Sequence, residues 1–474
     1  MSFLLRIIIV SHLVIPAFIF SCTSPKEAKE YDLVIYGGRV IDPETNTDSI
    51  FNIGINEGTI AKVSKDSLIG KSYINASGLV VSPGFIDLHE HGATDETYKI
   101  MAHDGVTTAF ELELGTGDVA NWFKEREGGQ VVNYGVSIGH IKVRMNVFND
   151  PGTFTPKGKA NTDKATEEQI AEMEKQIEEG LKNGAVAVGF GLAYTPGATT
   201  EEFKAMLGVA KKFGASSHIH LRGGLAGLNE AINSAIEVGT PLHIVHINSS
   251  GGAQTSEFLK IIKEAQDKGH DITTEAYPYE AGMTAIESAI FDGWQNWDDE
   301  KIGIHQWVET GEFLNRETFG KYREQGGRVI IHSRTEEMTL SAIESPLTMI
   351  ASDGLLEDGK GHPRTSGTYS KVLGKYVREL HALTLQDAVR KMTIEPAKRL
   401  EGFVPAMKKK GRLQEGADAD ITIFDPTLVI DQSTYSAPTL SPKGIPYVII
   451  AGKIVIDQGK LVPGVKPGKA IKKL

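Results

Sequence analysis

The stretch Leu79-Val80-Val81-Ser82-Pro83-Gly84-Phe85-Ile86-Asp87-Leu88-His89-Glu90-His91-Gly92 decides how the rest of the chain is read. From Leu79 to Leu88 it is almost wholly apolar, which predicts a buried strand. Side chains two apart on a strand point the same way. His89 and His91 therefore leave the strand's end side by side, with Glu90 turned elsewhere. Two adjacent imidazoles are costly to bury unless something binds both, and a divalent cation does so. A pair of structural histidines is the alternative. The Pro-Gly-Phe-Ile-Asp lead-in and further histidines downstream weigh against it.

Outward from this strand, apolar runs alternate with amphipathic ones. Strands are expected at 107–114, 135–143, 186–192, 216–221, 242–247, 272–277 and 347–352, which with 79–88 makes eight. Between them, Thr166-Glu167-Glu168-Gln169 is a capping box opening a helix whose apolar stripe is Ile170, Met173, Ile177 and Leu181. Thr199-Thr200-Glu201-Glu202 opens another, closed by Gly214. Eight strands with intervening helices predict a (β/α)8 barrel over 79–404, with an insertion around 284–345 that carries helices and a short strand at 328–332. Residues 31–78 and 405–474 share a different texture of short strands with glycine turns. They read as two parts of one small β-sandwich domain built from both chain ends.

The chain has 474 residues, 23% charged and 40% hydrophobic, with a formal charge of −11. That balance suits a globular enzyme and disfavours nucleic acid or an anionic membrane surface as partner. Arg6 and the mostly apolar run Ile7 to Phe20, ending in Ser21-Cys22, read as a targeting segment of the bacterial lipoprotein type, 1–22. An ordinary signal peptide is the alternative. The expectation is a periplasm-facing envelope lipoprotein touching the membrane only through a lipid on Cys22. As the only cysteine, Cys22 permits no intrachain disulfide.

Barrel enzymes work at the C-terminal ends of their strands. There the sequence places His89 and His91, then Glu111 and Glu113, His218 and His220, His243 and His246, and Asp353. Imidazole and carboxylate without thiolate suit zinc, with iron or manganese as other options.

At these residues the chain resembles the amidohydrolase superfamily, and within it the D-aminoacylase branch of N-acyl-D-amino-acid deacylases. The resemblance is carried by Pro83-Gly84-Phe85-Ile86-Asp87 with the histidine pair, by Gly191-Leu192-Ala193-Tyr194-Thr195-Pro196-Gly197 and by His220-Leu221-Arg222. Tyr277-Pro278-Tyr279, Ser352-Asp353-Gly354, His362-Pro363-Arg364 and Gly416-Ala417-Asp418-Ala419-Asp420 add to it. It implies one or two zinc ions. His89, His91 and Asp353 would hold one, and His220 and His246 the other, with a bridging residue between. His220 is preferred to His218 because the His-x-Arg pattern starts there, and His246 to His243 because it lies nearer the strand's end. The resemblance further implies attack of a metal-activated water on an acyl carbonyl, with Asp353 taking the proton and passing it to the departing amine. Tyr194, Tyr279, Arg222, His362 and Arg364 would face substrate.

The departures bear on specificity. The branch carries a cysteine ligand in a Gly-Asn-Cys-Gly segment, where this chain has Leu112-Glu113-Leu114-Gly115. Glu113 is the expected replacement bridge and Glu111 the fallback. An ungapped overlay puts Leu114 under the cysteine, so Glu113 needs a bulge to face inward. Asn248 stands where the branch has a lysine for the substrate carboxylate, Gly224 where it has an acid, and Met283 where it has a serine. Arg222, Arg144 and Lys142 are the basic candidates in their stead. The expected activity is hydrolysis of a linear amide C–N bond in a small N-acyl amino acid, with N-acyl-D-glutamate one candidate. A cyclic amide or a dipeptide is the second enzymatic reading. A non-catalytic ligand-binding lipoprotein is the third.

Overall fold

The computed structural model describes residues 30–473. The expected targeting segment, 1–22, with Cys22, lies outside the described residues. Eight parallel strands follow one another in sequence order around a barrel: β1 (Phe85–Asp87), β2 (Val106–Thr116), β3 (Asn133–Gly139), β4 (Ala187–Gly191), β5 (Ser216–His220), β6 (Leu242–Ile244), β7 (Ile272–Ala276) and β8 (Thr348–Ile350). The seam between β1 and β8 is closed beyond the strands themselves. Asp353 N–H donates to the His89 carbonyl at 2.7 Å, and His91 N–H to that of Gly354 at 2.7 Å. The bonds that shut the barrel thus run through the candidate ligands.

The apolar run 79–88 is two strands. Val80–Pro83 pairs with Leu33–Asp42 and Ile421–Phe424, while Phe85–Asp87 opens the barrel. A Cβ on Gly84, the corner between them, would lie 2.2 Å from the Thr107 side chain. An apolar run records burial on both sides of such a corner, so periodicity does not reveal it.

The helices form as their caps and stripes dictate. Glu167–Lys182 starts at the Thr166/Gln169 capping box and buries Met173, Ile177 and Leu181. Thr200–Phe213 is capped by Thr199, ends on left-handed Gly214, and buries Phe203, Met206, Leu207 and Ala210. These stripes pack onto the outward faces of the strands around Val188, Phe190 and Ile219.

Both chain ends build one nine-stranded sheet, in which Val80–Pro83 lies between the strands from the two ends. Its outer strand, Thr59–Ser64, hydrogen-bonds back to the segment 416–419. The sheet therefore folds around its own core of Ile35, Ile53, Ile55, Ile421 and Ile449. Between β7 and β8 the chain inserts a three-stranded antiparallel sheet, Gly282–Ala285, Arg328–Ile331 and His305–Trp307, with its own core of Phe291, Trp307 and Phe319. This insert roofs the barrel's mouth.

Candidate metal centre

Two groups of side chains converge at the C-terminal mouth, and within each the ligand atoms lie within 4.8 Å of one another: His89, His91, Glu113 and Asp353, and Glu113, His220 and His246. In the first, the Nε2 atoms of His89 and His91 are 3.1 Å apart. Glu113 Oε2 is 2.7 Å from the one and 3.7 Å from the other, and Asp353 Oδ1 3.5 and 3.3 Å. In the second, His220 Nδ1 and His246 Nε2 are 3.0 Å apart, with Glu113 oxygens 3.2 and 3.6 Å away. Glu113 is common to both.

Local backbone geometry aims these groups. Along β2 and β3, Val136 pairs with Glu111 but Ile138 with Thr116, so β2 carries extra residues between. This is the bulge that Glu113 needs in order to face inward. Gly115 sits in it at φ +59°, where a Cβ would lie 2.3 Å from Ser137 Oγ. His246 and Asp353 also have positive φ, 35° and 52°. Such conformations cost non-glycine residues roughly 1–3 kcal/mol each and cluster at functional sites.

A second layer orients the first. His91 Nδ1 is 2.6 Å from Glu111 Oε2, whose other oxygen accepts the Leu114 and Gly115 amides of the bulge. His89 Nδ1 is 2.6 Å from Glu275 Oε1. Glu275 Oε2 meets His243 Nε2 at 3.0 Å, and His243 Nδ1 meets the Thr273 hydroxyl at 2.8 Å. With both Nδ1 atoms turned to carboxylates, both Nε2 atoms face one small space.

The electrostatics say what that space requires. Burial opposes charge on His91, but Glu111 and Asp353 outweigh it and lift its pKa to about 10. Asp353, Glu275 and His89's hydrogen bond to Glu113 similarly overcome burial and raise His89 well above its ordinary value. Burial likewise opposes ionisation of Glu275, yet His89 and His243 pull it down to about 2. Glu113 stays well below the usual carboxylate range despite burial, because of His220, His246 and His89. Buried carboxylates surround imidazoles that carry charge only by holding a proton. This donor set fits a divalent cation, which would supply the positive charge and leave the imidazoles neutral.

The centre opens into a cavity of about 240 Å³ whose lining includes His91, Tyr194, Tyr277, Thr284, Asp353 and Arg364. The hydroxyl of Tyr194 lies 3.1 Å from that of Thr284, and its ring stands 4.9 Å from His220's. Arg364, fully buried, holds Asp353 Oδ2 at 2.8 Å. Three other expected substrate contacts stand elsewhere. Tyr279 turns away from the cavity, its hydroxyl 3.2 Å from Asp431, because the chain leaves β7 after Ala276 and the two-residue alternation ends there. Of this pair, Tyr277 is the one that reaches the cavity. His362 is an internal brace, donating to the Ala281 carbonyl and accepting the Arg364 amide. Arg222 lines a neighbouring outer cavity of about 440 Å³, but Glu230 and the Ala198 carbonyl already engage its guanidinium. Arg144 is buried against Glu202, and Lys142 is bound by the Thr153 and Phe154 carbonyls. His218 is fully buried below the centre, 4.7 Å from His243 ring to ring.

Residues 147–456 match the profile of the amidohydrolase family, well over half of the chain. The chain belongs to the amidohydrolase family. Its similarity to the N-acyl-D-glutamate deacylase of Alcaligenes xylosoxydans xylosoxydans is 28% identity, over 94% of this chain and 97% of that enzyme. The D-aminoacylase of the same organism is also 28% identical, over 90% of this chain and 95% of that one. The structure of an N-acyl-D-glutamate deacylase from Bordetella bronchiseptica, complexed with zinc and a phosphonate mimic of the reaction's tetrahedral intermediate, superposes with a TM-score of 0.80. It is 25% identical, over 94% of this chain and 100% of that one. As a member of this family the chain is a hydrolase of C–N bonds other than ordinary peptide bonds.

Sequence reasoning missed Glu275 and Tyr277 as parts of this site. The signal was present: Thr273, Glu275 and Tyr277 share one parity, and an acid in the middle of a buried barrel strand needs a partner.

Proposed function

We propose that the chain deacylates N-acyl-D-amino acids, with an acidic D-amino acid such as D-glutamate as the leaving group, and that zinc, one ion or two, is its cofactor. The observation that carries the reading is the shared Glu113 carboxylate, set between His89/His91 and His220/His246 beside a cavity that Asp353 also enters. Support for the substrate class comes from the relatives' established names and from the span of the likeness, which covers nearly all of both chains.

A divalent ion supplies Lewis acidity to the acyl carbonyl and lowers the pKa of water. The chain's own residues do the rest. Asp353 presents Oδ1 to the histidines while Arg364 fixes Oδ2, so the carboxylate that takes the proton is held in one direction at the centre. That proton comes from the attacking water and goes to the departing amine nitrogen. The net change is one amide and one water into a carboxylic acid and an amine. Tyr194 and Thr284 wall the cavity and position the acyl group. Tyr194 and the inserted sheet, through Met283, Thr284 and Ile331, wall the cavity above it.

We further propose that the enzyme works at a bacterial envelope, tethered through Cys22. Supporting this is the apolar segment ending in Ser21-Cys22. Incorporation of labelled palmitate that disappears in Cys22→Ser tests the tether.

The activity test is a panel of N-acetylated D- and L-glutamate, aspartate and methionine, with dihydroorotate as a cyclic amide, offered to the zinc-loaded protein. Turnover of the D-glutamate derivative above the others is expected. A zinc-loaded protein that opens only the cyclic amide, or no amide at all, would overturn the reading.

A further inference from the structure

Three large hydrophobic side chains of the small β-domain, Tyr36, Ile69 and Tyr73, are 39, 52 and 55% exposed and stand together where the described chain begins. The strand Tyr73–Asn75 runs parallel to Leu33–Asp42, with Tyr36 opposite Asn75. Tyr73 and Asn75 share a face, so both tyrosines point out of the sheet on one side. Their neighbours Ile35 and Ile74 point the other way, into the domain's core. The two rings meet edge to face, with centroids 6.3 Å apart. The Tyr73 hydroxyl accepts the Gly70 amide at 2.9 Å, which brings the ring beside Ile69. Ile69 in turn pairs with Glu30, the first described residue. At the edge of the group, Lys71 pairs with Asp32 at 2.8 Å, so one charge there cancels the other.

Single exposed apolar side chains are ordinary, but a contiguous group marks a surface with a use. Tyrosine has an apolar ring and a polar tip, and it collects where hydrocarbon meets water at a membrane surface. Cys22 lies eight residues before Glu30. That span reaches at most about 28 Å. A lipid on Cys22 would keep Glu30, and Ile69 paired with it, within that distance of the bilayer. Contact by the patch would then be intramolecular, and a weak preference is enough to hold it. The chain's formal charge of −11 opposes an anionic surface, so the lipid that suits the patch is zwitterionic.

We propose that Tyr36, Ile69 and Tyr73 form a bilayer-facing surface that seats among the headgroups of zwitterionic phospholipid and so orients the enzyme on the membrane. The inference rests on the reading that Cys22 carries a lipid, and it adds a second membrane contact to that one.

The test uses the lipidated full-length protein in phosphatidylcholine vesicles. Cys22 is the only cysteine. With its thiol lipidated, Ile69→Cys supplies the one free thiol, which takes an environment-sensitive fluorophore. Phe313→Cys, on the inserted sheet's side of the molecule and at a residue 59% exposed, is the control. A nitroxide on the acyl chain close to the headgroup should quench the reporter at 69 and spare the one at 313. Tyr36→Glu with Tyr73→Glu should abolish the quenching at 69, with palmitate incorporation and melting temperature as in the parent. Should the double variant not fold, Tyr36→Glu alone decides. A reporter at 69 that stays in water in the lipidated protein would overturn this inference and leave the tether standing. Quenching that survives the glutamates would overturn it as well, because the tether alone would then bring residue 69 to the lipid. A chain that incorporates no palmitate would overturn the tether and this inference together.

Discussion

Two buried charge clusters lie at opposite ends of the barrel's role in the molecule, and they solve the same problem differently. Where the small β-domain meets the barrel, Lys410 Nζ sits 2.6 Å from Asp420 and 3.0 Å from Asp418. Asp420 also accepts from Asn133 at the start of β3 and from the Ala451 amide. Every charge there has a partner supplied by the chain, and burial is offset by Asp420 and Asp418, which raise the pKa of Lys410. At the barrel's mouth, by contrast, Asp353 has Arg364 beside it, but Glu113, Glu111 and Glu275 close on imidazoles that are cations only while protonated. Burial of charge alone therefore does not mark a functional site. What separates the two is whether the protein has supplied the countercharge itself.

The largest effect that follows is on rate. Asp353→Asn keeps the side chain's size and removes its basicity, so kcat should fall by about 10²- to 10⁴-fold. Steady-state kinetics on the best substrate of the panel measures this, and a variant within tenfold of the parent would remove Asp353 from the proton path. Next in size is Lys410→Met, which strands two carboxylates at the junction. Stability should drop by about 3–5 kcal/mol, the usual cost of removing one member of a buried pair. Denaturant unfolding measures it, and the metal titration of the folded variant should resemble the parent's. If Lys410→Met weakened metal binding as strongly as it destabilised the fold, the two clusters would not be separate devices.

The order in which these features become visible in a sequence follows their range. The eight strands, the two capped helices and the six converging side chains were legible because each is a local pattern: a run of one parity, a cap three residues from its Gln or Glu, a histidine at a strand's end. The strand change at Gly84 was not, since both sides of it are equally buried. The bulge that turns Glu113 inward could be required by the chemistry but not located, because its cause is the packing of Gly115 against Ser137 on a neighbouring strand. Tyr279 and Tyr277 exchanged roles for a related reason: alternation predicts direction only while the strand lasts. Glu275 was passed over because its meaning depends on His89, 186 residues earlier.

The remaining two predictions separate the clusters by their answer to metal and to pH. Zinc at about a hundredfold its dissociation constant should stabilise the protein by about 2.7 kcal/mol for one site. The gain should vanish in His91→Asn and persist in Lys410→Met, as thermal melts with and without zinc would record. The smallest effect is the change of that gain with pH. In the metal-free fold, His91 is lifted to about 10 from an unfolded value near 6.5. A raised folded pKa means that its contribution is fully present below about pH 6.5 and is lost as pH climbs toward 10. Zinc must displace that proton, so each proton released should tighten binding about tenfold per pH unit, or about 1.4 kcal/mol. The zinc-induced gain should accordingly grow between pH 6.5 and 8.5. Lys410 is raised above a value that already lies beyond this window, so the junction's contribution should stay flat across it. A zinc effect independent of pH would mean that His89 and His91 are already neutral in the metal-free protein, and the contrast between a cluster that carries its own cation and one that waits for it would fail.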